Sequence, residues 1–217
     1  MAEFVTVNLG ISKIAIFHAD DSFSTEAEQA MVKELNTRNV QPVSVAEYNR
    51  QTLDIVTPAK KLMQYDPKAV ICIGTSIPTV KLVNQFFEQG HFGTTFLGID
   101  STFNASRALR ERGAQFYFSS FVPDPLTDNV QLAQEFRNAL ALIDPEQTPT
   151  ILSFAYYISA KILTKAIQRI DSLVTKESIL KEIEAMNNID LGGFVVSFES
   201  SNRHIFGSSI SIVKGLA

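Results

Sequence analysis

The chain has 217 residues, 45% of them apolar and 19% charged, with a net charge of −4 at neutral pH. It is therefore long enough to bury a core as one large or two small domains, and too apolar to be disordered. The acidic balance and the lack of a Lys/Arg cluster exclude a surface that binds nucleic acid by neutralising phosphates.

From Lys13 to about Pro123, short β-branched or aromatic runs alternate with amphipathic stretches, the pattern of βαβ units in a parallel sheet. The predicted strands are Lys13 to His18, Gln41 to Tyr48, Ala69 to Gly74, Thr94 to Gly98 and Gln115 to Ser120. A helix is expected over Ser24 to Arg38, with Ala27, Ala30, Met31 and Leu35 on one face and a capping box at Thr25 and Glu28. A second is expected over Ser76 to Gln89, facing inward through Val80, Val83 and Phe87 and stopped by Gly90.

After Pro123 the texture changes to three consecutive helices: Thr127 to Leu142, Thr150 to Ile170 and Lys176 to Met186. Leu132, Phe136 and Leu140 on the first, with Leu152, Tyr156, Ala160 and Leu163 on the second, form apolar faces that need a packing partner. Leu191 to Phe198 and Ser208 to Val213 read as two strands joined by a polar turn around Ser200 to His204.

In a parallel sheet the ligand edge lies at the C-terminal ends of the strands, beside free helix N-termini. The loops His18 to Ser24, Gly74 to Pro78 and Gly98 to Thr102 bring Asp20, Asp21, Phe23, Thr75, Ser76, Asp100 and Ser101 to that edge. Hydroxyls, amides, an aromatic face and carboxylates suit a small polar solute. Read structurally instead, the Ser residues are helix caps and the Asp residues favour the helix dipole.

Catalytic patterns are missing. His18, His91 and His204 have no metal-ligand spacing, and there is no GxGxxG after the first strand, no GxxxxGK and no GxSxG. Neither an enzyme, a cofactor nor a metal is expected. The pair Asp20-Asp21 looks like the acidic pocket of a receiver domain, but the third strand ends in Ile73-Gly-Thr-Ser76, without the phosphoacceptor carboxylate. Cys72, the single cysteine, sits in the apolar run Val70 to Ile73 and reads as a small buried hydrophobe.

Several segments, in order, resemble the type 1 periplasmic solute-binding proteins of the leucine/isoleucine/valine-binding class, receptors of branched-chain amino-acid ABC transporters. KIAIFHADDSFSTEAEQAMVKEL resembles the strand, turn and helix that open the family's second lobe, with Phe23-Ser24 where Tyr-Gly is usual. Asp66 to Gly74 is similar to its "PDAVI…G" strand, Phe96 to Ser101 to the strand before its next site loop, and Met186 to Phe198 to its "G…F" hairpin entry.

The resemblance implies a Rossmann-like parallel sheet flanked by helices, lobe two of a type 1 periplasmic-binding fold, spanning residues 1–123 and 188–217. Residues 124–187 would be helices of lobe one, most of which is absent. Phe23 would lie against the ligand, Ser76 would stand where relatives carry a second aromatic, and Asp100 would hold an ammonium. The implied function is non-enzymatic binding of an amino acid or related solute, with a membrane permease as partner. The alternatives are a sensory or regulatory ligand-binding domain and a truncated interaction module with a vestigial cleft.

Leu132, Phe136, Tyr156 and Leu163 are expected to pack in a homo-oligomer interface or against a missing N-terminal lobe. The N-terminus MAEFVTVNLG lacks a secretory signal, and no apolar run approaches the ~20 residues of a membrane span. Localisation is therefore periplasmic if the chain is part of an exported protein, and cytoplasmic otherwise.

Overall fold

The computed structural model describes residues 1–198 and 211–214. In chain order the elements are β1 (Ile14–Ala19), α1 (Ser22–Asn36), β2 (Ser44–Tyr48), α2 (Val56–Met63), β3 (Ala69–Ile73), α3 (Ser76–Glu88), β4 (Thr95–Gly98), α4 (Ser106–Glu111) and β5 (Phe116–Ser120). There follow α5 (Gln131–Ile143), α6 (Ile151–Gln168), α7 (Lys176–Glu184), β6 (Ile189–Asp190), β7 (Val195–Val196) and β8 (Ser211–Lys214). A π-helical turn at Phe4–Asn8 precedes β1, and a 3-10 helix at Asp100–Ala105 leads into α4. The chain divides into two units, Met1–Ser119 with Ile212–Ala217, and Ser120–Ser211.

The first unit is the expected α/β fold. Its sheet runs in the order β2-β1-β3-β4-β5-β8, and β1 to β5 pair in parallel. Every residue of β1 and β3 is buried, because helices cover both faces of a parallel sheet and leave no side to water. One face carries Ile14, Ile16, Ile71, Ile73 and Leu97 against Leu35 of α1 and against Ala2 and Val5 of the N-terminal segment. On strand positions one residue out of step, Phe17 stacks on Tyr48 at 4.7 Å and Phe96 meets Phe86 of α3 edge-on at 5.4 Å. Cys72 is fully buried, and burial pushes its thiol pKa up, as expected of a small hydrophobe.

Local chemistry moves some boundaries from their expected places. Strand β2 begins at Ser44 rather than Gln41, since Pro42 has no N–H to offer the ladder. Helix α1 starts two residues early: the Asp21 carboxylate accepts the Ser24 amide at 2.8 Å, while the Thr25 hydroxyl donates to the Asp21 carbonyl instead of forming a box with Glu28. Ala30 faces solvent, and Ala27, Met31 and Val32 pack beside Leu35. On α3 the inward face is rotated by one position, burying Leu82, Val83 and Phe86 with Val80 and Phe87 only half-buried.

The second unit contains the three expected helices. Thr150 and Thr175 each cap a helix reciprocally with the serine three residues on. Leu132 and Phe136 of α5 are buried, and Phe136 packs at 4.9 Å on Phe154 and 5.4 Å from Tyr157, both on α6. This corrects the expectation that those two residues lie in an interface with a second copy or a missing lobe: both are already buried within this chain, Phe136 against α6. The inward stripe of α6 is Ile151, Phe154, Ile158 and Ile162, whereas Leu152, Tyr156 and Leu163 face outward, with Tyr156 68% exposed.

The expected terminal hairpin is arranged differently. Strand β7 pairs antiparallel with β6, through a turn in which the Asp190 carboxylate accepts the amides of Gly192 and Gly193. Both glycines have positive φ, 110° and 84°, which a residue with a Cβ resists. Strand β8 joins the large sheet beside β5. The polar turn expected around Ser200 to His204 lies outside the described residues.

Candidate functional site

The order β2-β1-β3-β4-β5 reverses direction between β1 and β3, so the loops leaving those two strands part in opposite directions and open a crevice at their C-terminal ends. A cavity of about 270 Å³ occupies that position. Its first wall is the turn from β1 into α1, with Ala19, Asp21, Phe23 and Ser24; its second is Gly74 and Thr75 at the start of α3, together with Ser101. Tyr48 and Arg50, at the end of β2, complete it.

Of the residues expected from the sequence, Phe23, Thr75 and Ser101 line this cavity. Phe23 is 65% exposed on the first turn of α1, which leaves its ring face open. Ser76 and Ser101 brace the rim: the Ser76 hydroxyl donates to the Ser101 carbonyl at 3.1 Å, and the Ser101 hydroxyl donates to the Gly74 carbonyl. Asp20 opens instead on a neighbouring depression between β2 and α2, beside Glu47, Asp54 and Lys61. Asp100 begins the 3-10 helix after β4 and is half-buried, outside the cavity lining.

The residues that sequence reasoning passed over come from the loop after β2. Tyr48 is 2% exposed, and its hydroxyl takes hydrogen bonds from Thr75 and sits where a Cβ on Gly74 would fall, at 2.5 Å. Burial raises its pKa and so keeps the phenol neutral, against the opposing pull of those bonds. Glycine at 74 is therefore required by close approach.

Two aspartates anchor the loop that carries Arg50. The Asp20 carboxylate accepts the Arg50 backbone amide at 3.0 Å and the Asn49 side-chain amide, and the Asp20 amide donates to the Tyr48 carbonyl at 3.1 Å. The Asp21 carboxylate caps α1 with one oxygen and accepts Arg50 Nη1 at 3.0 Å with the other. Its pKa is lowered, first by the Ser24 amide and then by the Arg50 charge. The signal was present in the sequence: β2 ends at the same edge as β1, β3 and β4, so its loop belonged with theirs.

His18 is 6% exposed with Nδ1 2.9 Å from the Ala19 carbonyl, at the strand end and outside the cavity lining. Among the described residues, no group of His, Cys, Asp or Glu is placed to hold a metal ion. No helix among them is long and apolar enough to cross a membrane.

Residues 1–214 match a family model described as periplasmic binding protein. No curated protein matches the sequence. Among solved structures, a possible leucine/isoleucine/valine-binding protein from Rhodopirellula baltica SH 1 is similar at 25% identity and a TM-score of 0.86, over 98% of this chain and 60% of that one. A leucine-binding protein, LivK, from Thermotoga maritima MSB8 is 19% identical with a TM-score of 0.80, over 98% of this chain and 59% of that one. LivJ from Streptococcus pneumoniae, a branched-chain amino acid transporter substrate-binding protein solved with isoleucine, is 15% identical with a TM-score of 0.77, over 98% and 63%. This chain thus spans about 60% of the length of those structures.

Proposed function

We propose, since the chain belongs to the periplasmic binding protein family, that it binds a small polar solute without converting it, as the part of an ABC-transporter receptor that carries one wall of the ligand cleft. The observation that carries this reading is the position of the cavity at the β1/β3 switch point, where an open α/β sheet takes ligands. Its content agrees: an exposed aromatic ring in Phe23, hydroxyls at Thr75 and Ser101, and the guanidinium of Arg50. The likeness to solved leucine- and isoleucine-binding proteins favours an amino acid or a related compound as the solute. A membrane permease would then be the partner, and the periplasm the place of action.

The test is a thermal-shift screen of the 217-residue chain with the amino acids and their close analogues. A specific ligand stabilises the folded state in proportion to the logarithm of its concentration, by about 2.7 kcal/mol at roughly 100 times its Kd. The expected result is a Tm that climbs with one class of solute. A Tm unmoved by every solute would refute the reading.

A further inference from the structure

We infer that this cavity grips the carboxylate end of its solute and that Arg50 is the residue selecting for it; the inference rests on the solute-binding reading above. The hydrogen-bond balance of the lining carries the argument. Its single carboxylate, Asp21, is already engaged on both oxygens, by the Ser24 amide and by Arg50 Nη1. An ammonium group entering here would have to share an acceptor that is taken. The Ser101 hydroxyl donates its proton to the Gly74 carbonyl, so only its lone pairs face the cavity.

What remains open is a set of donors. A guanidinium carries five N–H groups in a planar fork, and the bond to Asp21 uses Nη1 only. The Arg50 side chain is 57% exposed at the cavity wall, so its other donors are accessible. Its backbone is fixed by the Asp20 carboxylate, and Asn49 Oδ1 closes the loop behind it by accepting the amides of Gln51 and Thr52 at 3.0 and 2.9 Å. The fork is therefore held in place before a ligand arrives. Helix α3 begins beside it without a side-chain cap, which leaves the first-turn amides of Ser76 and Ile77 without an acceptor inside the helix. These are donors that a carboxylate accepts from and that an ammonium cannot use.

This assignment differs from the one implied by the family resemblance, in which the unit would hold the ammonium through Asp100. The experiment uses matched triads of probes: leucine, phenylalanine and glutamate, each with its α-amide and its deaminated acid. They are titrated into the ¹⁵N-labelled chain while the amides at Phe23, Ser76 and Ile77 are followed. The deaminated acid of the best-bound skeleton should keep its affinity, and the amide should lose at least about tenfold, the loss of one charge-assisted hydrogen bond. Arg50→Gln should lose a similar factor toward the acid, and Arg50→Lys should fall between.

An amide that binds as well as its acid, or an acid whose affinity for Arg50→Gln is unchanged, would overturn the role of Arg50 while leaving solute binding intact. Absence of binding by every probe would overturn both. The comparison of acid with amide needs no variant, so it decides the question even if Arg50→Gln fails to fold.

Discussion

Replacing Gly74 by alanine would put a methyl group where the Tyr48 hydroxyl already stands. A Cβ there would lie 2.5 Å from the phenol oxygen, 3.3 Å from Cζ and 3.4 Å from Cε1. Tyr48 has no room to retreat, being 2% exposed, stacked on Phe17 at 4.7 Å and bonded to Thr75. Overpacking of this kind costs about 1–3 kcal/mol, against roughly 0.4–1 kcal/mol gained by stiffening the unfolded chain. The expected net loss of about 1–2 kcal/mol corresponds, in a chain of this size, to a fall in Tm of about 2–8 °C. Tyr48→Phe removes the oxygen that clashes and leaves the ring carbons at tight but tolerable distances. Alone it sacrifices a hydrogen bond worth about 1 kcal/mol; combined with Gly74→Ala it relieves the overlap. Urea unfolding of the wild type, both single variants and the double variant closes the cycle. The double variant should be more stable than the sum of the singles predicts by about 1 kcal/mol, well above the 0.3–0.5 kcal/mol or so expected of independent sites. Additive effects would refute the packing argument.

Asp21→Ala, which removes the cap of α1 and the partner of Arg50, should cost about 1 kcal/mol at neutral pH. Because the folded-state pKa of Asp21 is lowered, its contribution is present above the ordinary carboxylate range and is lost as pH falls through the folded value. The difference between wild type and variant should therefore close in acid, and a gap independent of pH in urea titrations would contradict the pairing. In the second unit, Phe136→Ala should lose about 3–5 kcal/mol, while Tyr156→Ser on the outward stripe should stay within about 0.5 kcal/mol. A loss at Tyr156 as large as that at Phe136 would mean that the outward stripe of α6 is packed and not exposed.

The sheet was legible because its strands announce themselves: runs such as Val70 to Ile73 are apolar at every position, as only a strand covered on both faces can be. The face of α6 was not, since Leu152, Tyr156 and Leu163 form as regular a stripe as Ile151, Phe154, Ile158 and Ile162 on a helix apolar almost all round. Periodicity finds a stripe but cannot choose between two. The adjacent Phe86 and Phe87 pose the same problem on α3. At the site, the turn around Phe23 followed from strand order, because neighbours in sequence built it. Tyr48 reaching Gly74, and Asp21 reaching Arg50, are contacts between residues 26 and 29 positions apart, which no local pattern encodes.

The return of β8 to the large sheet has a consequence in time. Strands β1 to β5 are complete once residue 120 has been made, but β8, the neighbour of β5, begins only at residue 211. At roughly 5–20 residues per second, the ribosome takes about 5–20 s to supply the intervening stretch. During that interval β5 presents an unpaired edge of the kind that recruits other chains. The nascent protein is thus most exposed to aggregation while its second unit is being synthesised, after the cavity-lining loops of the first have been made.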